Sequence, residues 1–114
     1  MTVCGVVADL ASTIETARRE RPDVCLLDAA LAGAGYSRVA PILDAATGVR
    51  VVILDGSASD AKLLDAVTAG AAGHLRRDLH PAALIAALHD AVAGLPAFPR
   101  RLEALLAAAV YARG

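Results

Sequence analysis

Short unbroken apolar runs alternate along the chain with stretches whose apolar residues recur every three or four positions. That is the pattern of strands buried on both faces and joined by amphipathic helices. Residues 3–8, the run Val24-Cys25-Leu26-Leu27, the run Val51-Val52-Ile53-Leu54 and residues 71–75 are the four strand candidates. After the first, Ser12 and Glu15 have capping-box spacing and predict a helix over residues 13–20 that Pro22 ends. Val39, Ile42, Leu43 and Ala46 predict a second, with Pro41 in its first turn and Gly48 past its end. A third passes through Leu63, Leu64 and Val67, with Ser57 and Ser59 as candidate caps and Gly70 as a left-handed terminator. Pro81 opens a fourth, lined by Leu84, Ile85, Leu88 and Val92. Gly94, Pro96 and Pro99 then read as a linker to a last helix carrying Leu102, Leu105, Leu106, Ala109 and Val110. Strands and helices in strict alternation predict an α/β fold with a parallel sheet. Residues 1–95 are expected to form the domain, and residues 96–114 a linker with an appended C-terminal amphipathic helix.

Composition narrows the function classes. At 114 residues and 57% hydrophobic, with 20% charged, the chain buries a core and is not intrinsically disordered. Eleven basic against 12 acidic residues leave no cationic surplus to neutralise phosphates, so no direct nucleic-acid contact is expected. Phe98, Tyr36 and Tyr111 are the only rings, too few for base-stacking platforms. The apolar segment over residues 102–112 is broken by Glu103 and falls short of the roughly 20 residues of a membrane span. With no secretory pattern at the N-terminus, a cytoplasmic protein without membrane contact is expected. Cys4 and Cys25, each inside an apolar run, read as small hydrophobes.

Three strand candidates end in aspartate: Asp9, Asp28 and Asp55. In an open parallel sheet, ligands bind outside the carboxyl ends of the strands. Clustered carboxylates persist there by holding a cation, by pairing with Arg or Lys, or by facing solvent. Asp9, Asp28 and Asp55 are therefore the candidate ligands for a cation, and no other cofactor is expected. His74, His80 and His89 contain no pair at helical i, i+4 spacing and do not make a zinc site. Gly33-Ala34-Gly35 has Arg38 where a dinucleotide loop needs its third glycine, which leaves a nucleotide-binding Rossmann-like fragment as a minor alternative. A phosphatase with an aspartate nucleophile would need a second Asp two residues after Asp28, and Ala30 is there.

The stretch Arg21-Pro22-Asp23-Val24-Cys25-Leu26-Leu27-Asp28 resembles the third strand and phosphoacceptor aspartate of the receiver domains of two-component response regulators. The resemblance is to the NarL/FixJ type, which carries a LuxR-like helix-turn-helix output. Residues 49–54 resemble that family's fourth strand, residues 69–75 its passage into the fifth, and residues 81–84 the start of its last helix, so residues 3–95 are covered. The resemblance implies a flavodoxin-like (CheY-like) doubly wound sheet, here of four strands, with the family's first strand and helix missing. It implies a phosphoacceptor position at Asp28, with Mg²⁺ as the cation of such a site, and substitutions at four others. Asp55 stands in the place of a hydroxyl residue, Arg77 in that of a lysine and His74 in that of the switch aromatic, and Ala32 replaces a proline. The expected function is a degenerate receiver-like module that acts through dimerisation or partner contact and not as an enzyme. The alternative is a working phosphoacceptor at Asp28. Arg77 is expected to pair with Asp28 or Asp55. A sensor histidine kinase or an output domain is the expected class of partner, beside a homodimer formed through Leu84, Leu88, Leu102, Leu105 and Leu106.

Overall fold

The computed structural model describes residues 1–5, 10–57 and 59–113. In them four parallel strands, β1 (Val3–Gly5), β2 (Val24–Asp28), β3 (Arg50–Asp55) and β4 (Gly73–Arg76), lie side by side in chain order. Among the described residues five α-helices accompany them: α1 (Leu10–Glu20), α2 (Val39–Ala45), α3 (Asp60–Ala69), α4 (Pro81–Val92) and α5 (Arg101–Arg113). Two single 3₁₀ turns, Ala29–Leu31 and Ala34–Tyr36, join β2 to α2.

Because successive strand residues point to opposite faces, each apolar run feeds two cores. Cys25, Leu27, Val51 and Ile53 pack with Ala17 of α1, Val39 and Ile42 of α2 and Ala66 of α3. Val24, Val52 and Leu75 pack on the other side against Leu88 and Ala91 of α4. Every fully buried Leu, Ile or Val contributes about 1.5–3 kcal/mol. The α/β architecture with helices on both faces is as the pattern predicts.

Local signals explain most element ends. Ser59 caps α3, its hydroxyl accepting the Lys62 N–H at 3.3 Å, and Gly70 closes that helix with φ +92°. His80 caps α4 through Nδ1, which accepts the Ala82 N–H at 3.2 Å, and Pro81 opens the first turn. Helix α1 differs from expectation: it starts by Leu10, so Ser12 lies inside it and is not its cap. Its buried residues are Thr13 and Ala17, four apart on one stripe, with Ser12 exposed beside them. Residues 6–8 of the predicted first strand lie outside the described residues.

Residues 96–99 are more than a linker. The Ala97 N–H donates to the Ala72 carbonyl at 3.1 Å, and the Ala97 carbonyl accepts the His74 N–H at 3.1 Å, which makes a parallel bridge on the outer edge of β4. A Cβ on Gly73 would lie 2.6 Å from the Ala97 carbonyl oxygen, so the close approach requires glycine. Helix α5 then docks on α3, with Leu102 6% exposed and Arg101 Nε 3.5 Å from Asp60 Oδ1. This corrects the expected dimer interface. Leu88 and Leu102 are consumed by the chain's own packing, Leu84 and Leu105 are partly buried, and of the five only Leu106 is exposed. On its face of the sheet α4 is the only helix of the described residues in the core, and Ile85 and Val92 on its outer side are exposed.

Candidate functional site at the carboxyl edge of the sheet

Asp28 and Asp55 close the two central strands, yet strand alternation sends them to opposite sides. Asp28 shares parity with Val24 and Leu26 on the α4 side, and Asp55 shares it with Val51 and Ile53 on the α1–α3 side. Asp9 lies outside the described residues.

Asp55 is buried in a polar cluster. Its Oδ2 lies 3.2 Å from Lys62 Nζ and accepts the Tyr36 hydroxyl at 3.1 Å, and its Oδ1 accepts the Ser57 N–H at 3.3 Å. His74, fully buried, places Nε2 3.0 Å from the Tyr36 oxygen and 3.4 Å from Asp55 Oδ2. Burial alone would raise the Asp55 pKa, but the Ser57 N–H, Lys62 and Tyr36 outweigh it and hold the carboxyl below its usual range. Burial lowers the His74 pKa against the pull of Asp55, so the imidazole is neutral near pH 7. Burial, and then Asp55, push the Tyr36 hydroxyl well above its usual value. Tyr36 reaches this position with φ +57°, sparsely populated for a non-glycine residue.

Asp28 has a different environment. Its Oδ1 accepts the Ala30 N–H at 2.9 Å as the cap of a 3₁₀ turn and pairs with Arg77 Nη2 at 2.9 Å. The Arg77 backbone is anchored first, its N–H donating to the Asp55 carbonyl at 2.9 Å. From there the guanidinium passes Gly56, where an added Cβ would lie 3.7 Å from Nη1, and crosses the end of β3 to reach Asp28. Both side chains are about half exposed, so the pair is screened and contributes at most about 1 kcal/mol.

The strand-end pattern placed Asp28 and Asp55 at this edge and the family resemblance added Arg77 and His74, but both missed Tyr36 and Lys62. Their only signals were rarity: Tyr36 is one of three rings, and Lys62 is the chain's single lysine. The two described carboxylates do not fit a divalent cation, since Arg77 already holds one and Lys62 the other, and they point to opposite faces. Among the described residues no three His, Cys, Asp or Glu side chains converge as a metal site, and no helix is long and apolar enough to cross a membrane.

No family model matches the chain. It is 31% identical over 113 residues to the nitrate/nitrite response regulator protein NarL of Escherichia coli strain K12, covering 98% of this chain and 52% of that protein. It is 32% identical over 109 residues to the DNA-binding transcriptional activator DevR/DosR of Mycobacterium tuberculosis, covering 95% of this chain and 50% of that one. Among solved structures, the signal receiver domain of the putative response regulator NarL from Mycobacterium tuberculosis superposes with a TM-score of 0.66 at 29% identity, covering 75% of this chain and 70% of that chain. A LuxR-family response regulator from Aurantimonas sp. SI85-9A1 shares the fold, with a TM-score of 0.73 at 23% identity over 92% of this chain and 76% of that one. The chain is a NarL-type receiver domain. It spans about half the length of the curated relatives it matches. In this receiver domain β1 pairs directly with β2, and α1, α2 and α3 all cover one face. Strand order therefore does not reverse among β1–β4, and a ligand crevice in a doubly wound sheet opens where it does reverse.

Proposed function

We propose that this receiver domain is a degenerate signalling and interaction module of a two-component-type transcriptional regulator. It acts through self-association or contact with an output domain or sensor kinase, without efficient phosphorylation and without enzymatic activity. The observation that carries this reading is the Arg77 guanidinium 2.9 Å from Asp28 Oδ1, the carboxylate at the phosphoacceptor position. Phosphoryl transfer to a carboxylate relies on cations placed around the equatorial oxygens of the phosphorus. Here the guanidinium is already engaged by the would-be nucleophile, and a planar fork does not replace the point charge of a lysine. Asp55 adds a second carboxylate where the family has a hydroxyl, and Lys62 is turned toward Asp55. One observation favours phosphorylation of Asp28 as a second reading: its side chain is 41% exposed and open to a small phosphodonor.

Self-association is supported by the α4 side of the sheet. A helix that buries Leu88 and Ala91 inward and shows Ile85 and Val92 outward has apolar groups on both sides, as helices with a second neighbour do. Sedimentation at micromolar concentration is expected to show a dimer that Ile85→Glu dissociates and that acetyl phosphate with Mg²⁺ leaves unchanged. A dimer formed only after phosphodonor is added would overturn the proposal, and a monomer would overturn self-association and leave contact with an output domain or sensor kinase as the mode of action.

A further inference from the structure

Helix α5 is longer than the surface it rests on. Its first turn is docked on α3, with Leu102 6% exposed and Arg101 beside Asp60. Leu102, Leu106 and Val110 follow one another at i, i+4 and i+8 on a single stripe, and exposure climbs along it to 39% at Leu106 and 69% at Val110. An apolar stripe of the kind helices bury therefore continues where the chain's own domain has ended.

Beside the docked end lies a hollow of about 230 Å³ walled by Pro96, Phe98, Pro99, Leu102 and Leu106, with Glu103 at its side. Val110, exposed one turn further along, does not fill it in its own chain. One chain thus carries an apolar hole and, on the same stripe, an apolar knob that does not reach it. Knobs enter holes when a second helix packs alongside. The positions also fix a register. Leu106 and Val110, like Glu103 and Arg113, stand at equal distances on either side of residue 108. A two-fold axis level with residue 108 therefore brings Leu106 of each copy opposite Val110 of the other, and Glu103 opposite Arg113 with its opposite charge. A parallel pair would instead set Glu103 level with Glu103.

We propose that α5 pairs antiparallel with α5 of a second copy, Val110 of each entering the hollow beside Leu106 of the other. Two such contacts alone fall short of the roughly 1,000 Å² of a specific interface. The apolar surface continues beyond them, because Pro96 and Phe98 also line a second hollow together with Leu95 and Ala91 of α4. The α5 pair extends the self-association surface of the α4 side, and it rests on that reading.

Sedimentation of the full chain from nanomolar to micromolar concentration, at low salt so that rim charges are little screened, tests the proposal. Val110→Glu is expected to raise the dimer Kd about tenfold or more. Tyr111→Ser is expected to change it less than about twofold, because Tyr111, though 84% exposed, lies about 140° round the helix from Leu106. Glu103→Arg is expected to weaken the dimer about fivefold, and the double exchange Glu103→Arg/Arg113→Glu to restore it. A dimer that Ile85→Glu dissociates and Val110→Glu leaves intact would overturn the α5 contact alone, whereas a monomer at every concentration would overturn self-association with it. Equal weakening by Tyr111→Ser and Val110→Glu, or a double exchange that fails to restore the dimer, would also overturn it.

Discussion

Asp28 and Asp55 end neighbouring strands in the same sheet, two residues that a pattern of strand-terminal aspartates does not separate. Their surroundings could hardly differ more. Asp55 is buried and bound by Lys62, Tyr36 and the Ser57 N–H, whereas Asp28 is about two-fifths exposed and held by the Ala30 N–H and one half-exposed guanidinium. Parity along the strand decides this. One side chain is directed toward the side that three helices cover, the other toward the side with α4. The buried carboxylate is thus part of what holds β3, β4 and the residue 34–36 turn together, and the exposed one is where a signalling chemistry would have to occur.

The largest effect expected from this contrast is on stability. Asp55→Ala strands the Tyr36 hydroxyl and His74 and is expected to cost about 2–3 kcal/mol in urea unfolding. Asp28→Ala removes a screened pair and a turn cap and is expected to cost about 1 kcal/mol or less. Equal losses would dissolve the distinction between the two sites.

A smaller effect is expected with pH. His74 has its folded pKa below the unfolded value of 6.5, so as pH falls through that value the unfolded chain binds a proton that the folded chain refuses. Stability is expected to be full above that pH and to decline below it, by at most about 1.4 kcal/mol per pH unit. Asp55, also shifted down, keeps its contribution until pH falls below the ordinary carboxylate range and loses it as its own lower pKa is passed. Urea midpoints measured across pH 5–8, a range chosen around the ordinary His value, check the sign. A profile that is flat below pH 6.5 would mean that His74 is protonated in the fold.

The four strand positions were legible because a strand buried on both faces reads as a short, continuous apolar run, and the ends of α3 and α4 because Ser59, Gly70 and Pro81 act locally. The start of α1 was not, since serine and glutamate three apart occur inside a helix as readily as at its mouth, and Ser12 proved internal. Residues 96–99 misled because two prolines suggest a linker, while the alanine between them bonds Ala72 and His74 through its own backbone groups at the edge of β4. At the site, Arg77 was legible only through the resemblance to the receiver family, whose lysine position it occupies. Tyr36 and Lys62 reach Asp55 from a turn and a helix, contacts that no local pattern encodes.

The smallest stability effect is expected at Arg77. Arg77→Gln is expected to shift unfolding by about 1 kcal/mol or less, because the guanidinium holds a half-exposed partner while its backbone bond to Asp55 remains. A loss approaching that of Asp55→Ala would make the Arg77–Asp28 pair structural and erase the difference between the two carboxylates.

The central claim, that Asp28 does not act as an efficient phosphoacceptor, is tested most directly by intact-mass spectrometry after incubation with acetyl phosphate and Mg²⁺, alongside Asp28→Asn. The account predicts little or no phosphoryl mass on either protein. Stoichiometric phosphorylation of the unsubstituted chain that disappears in Asp28→Asn would contradict it.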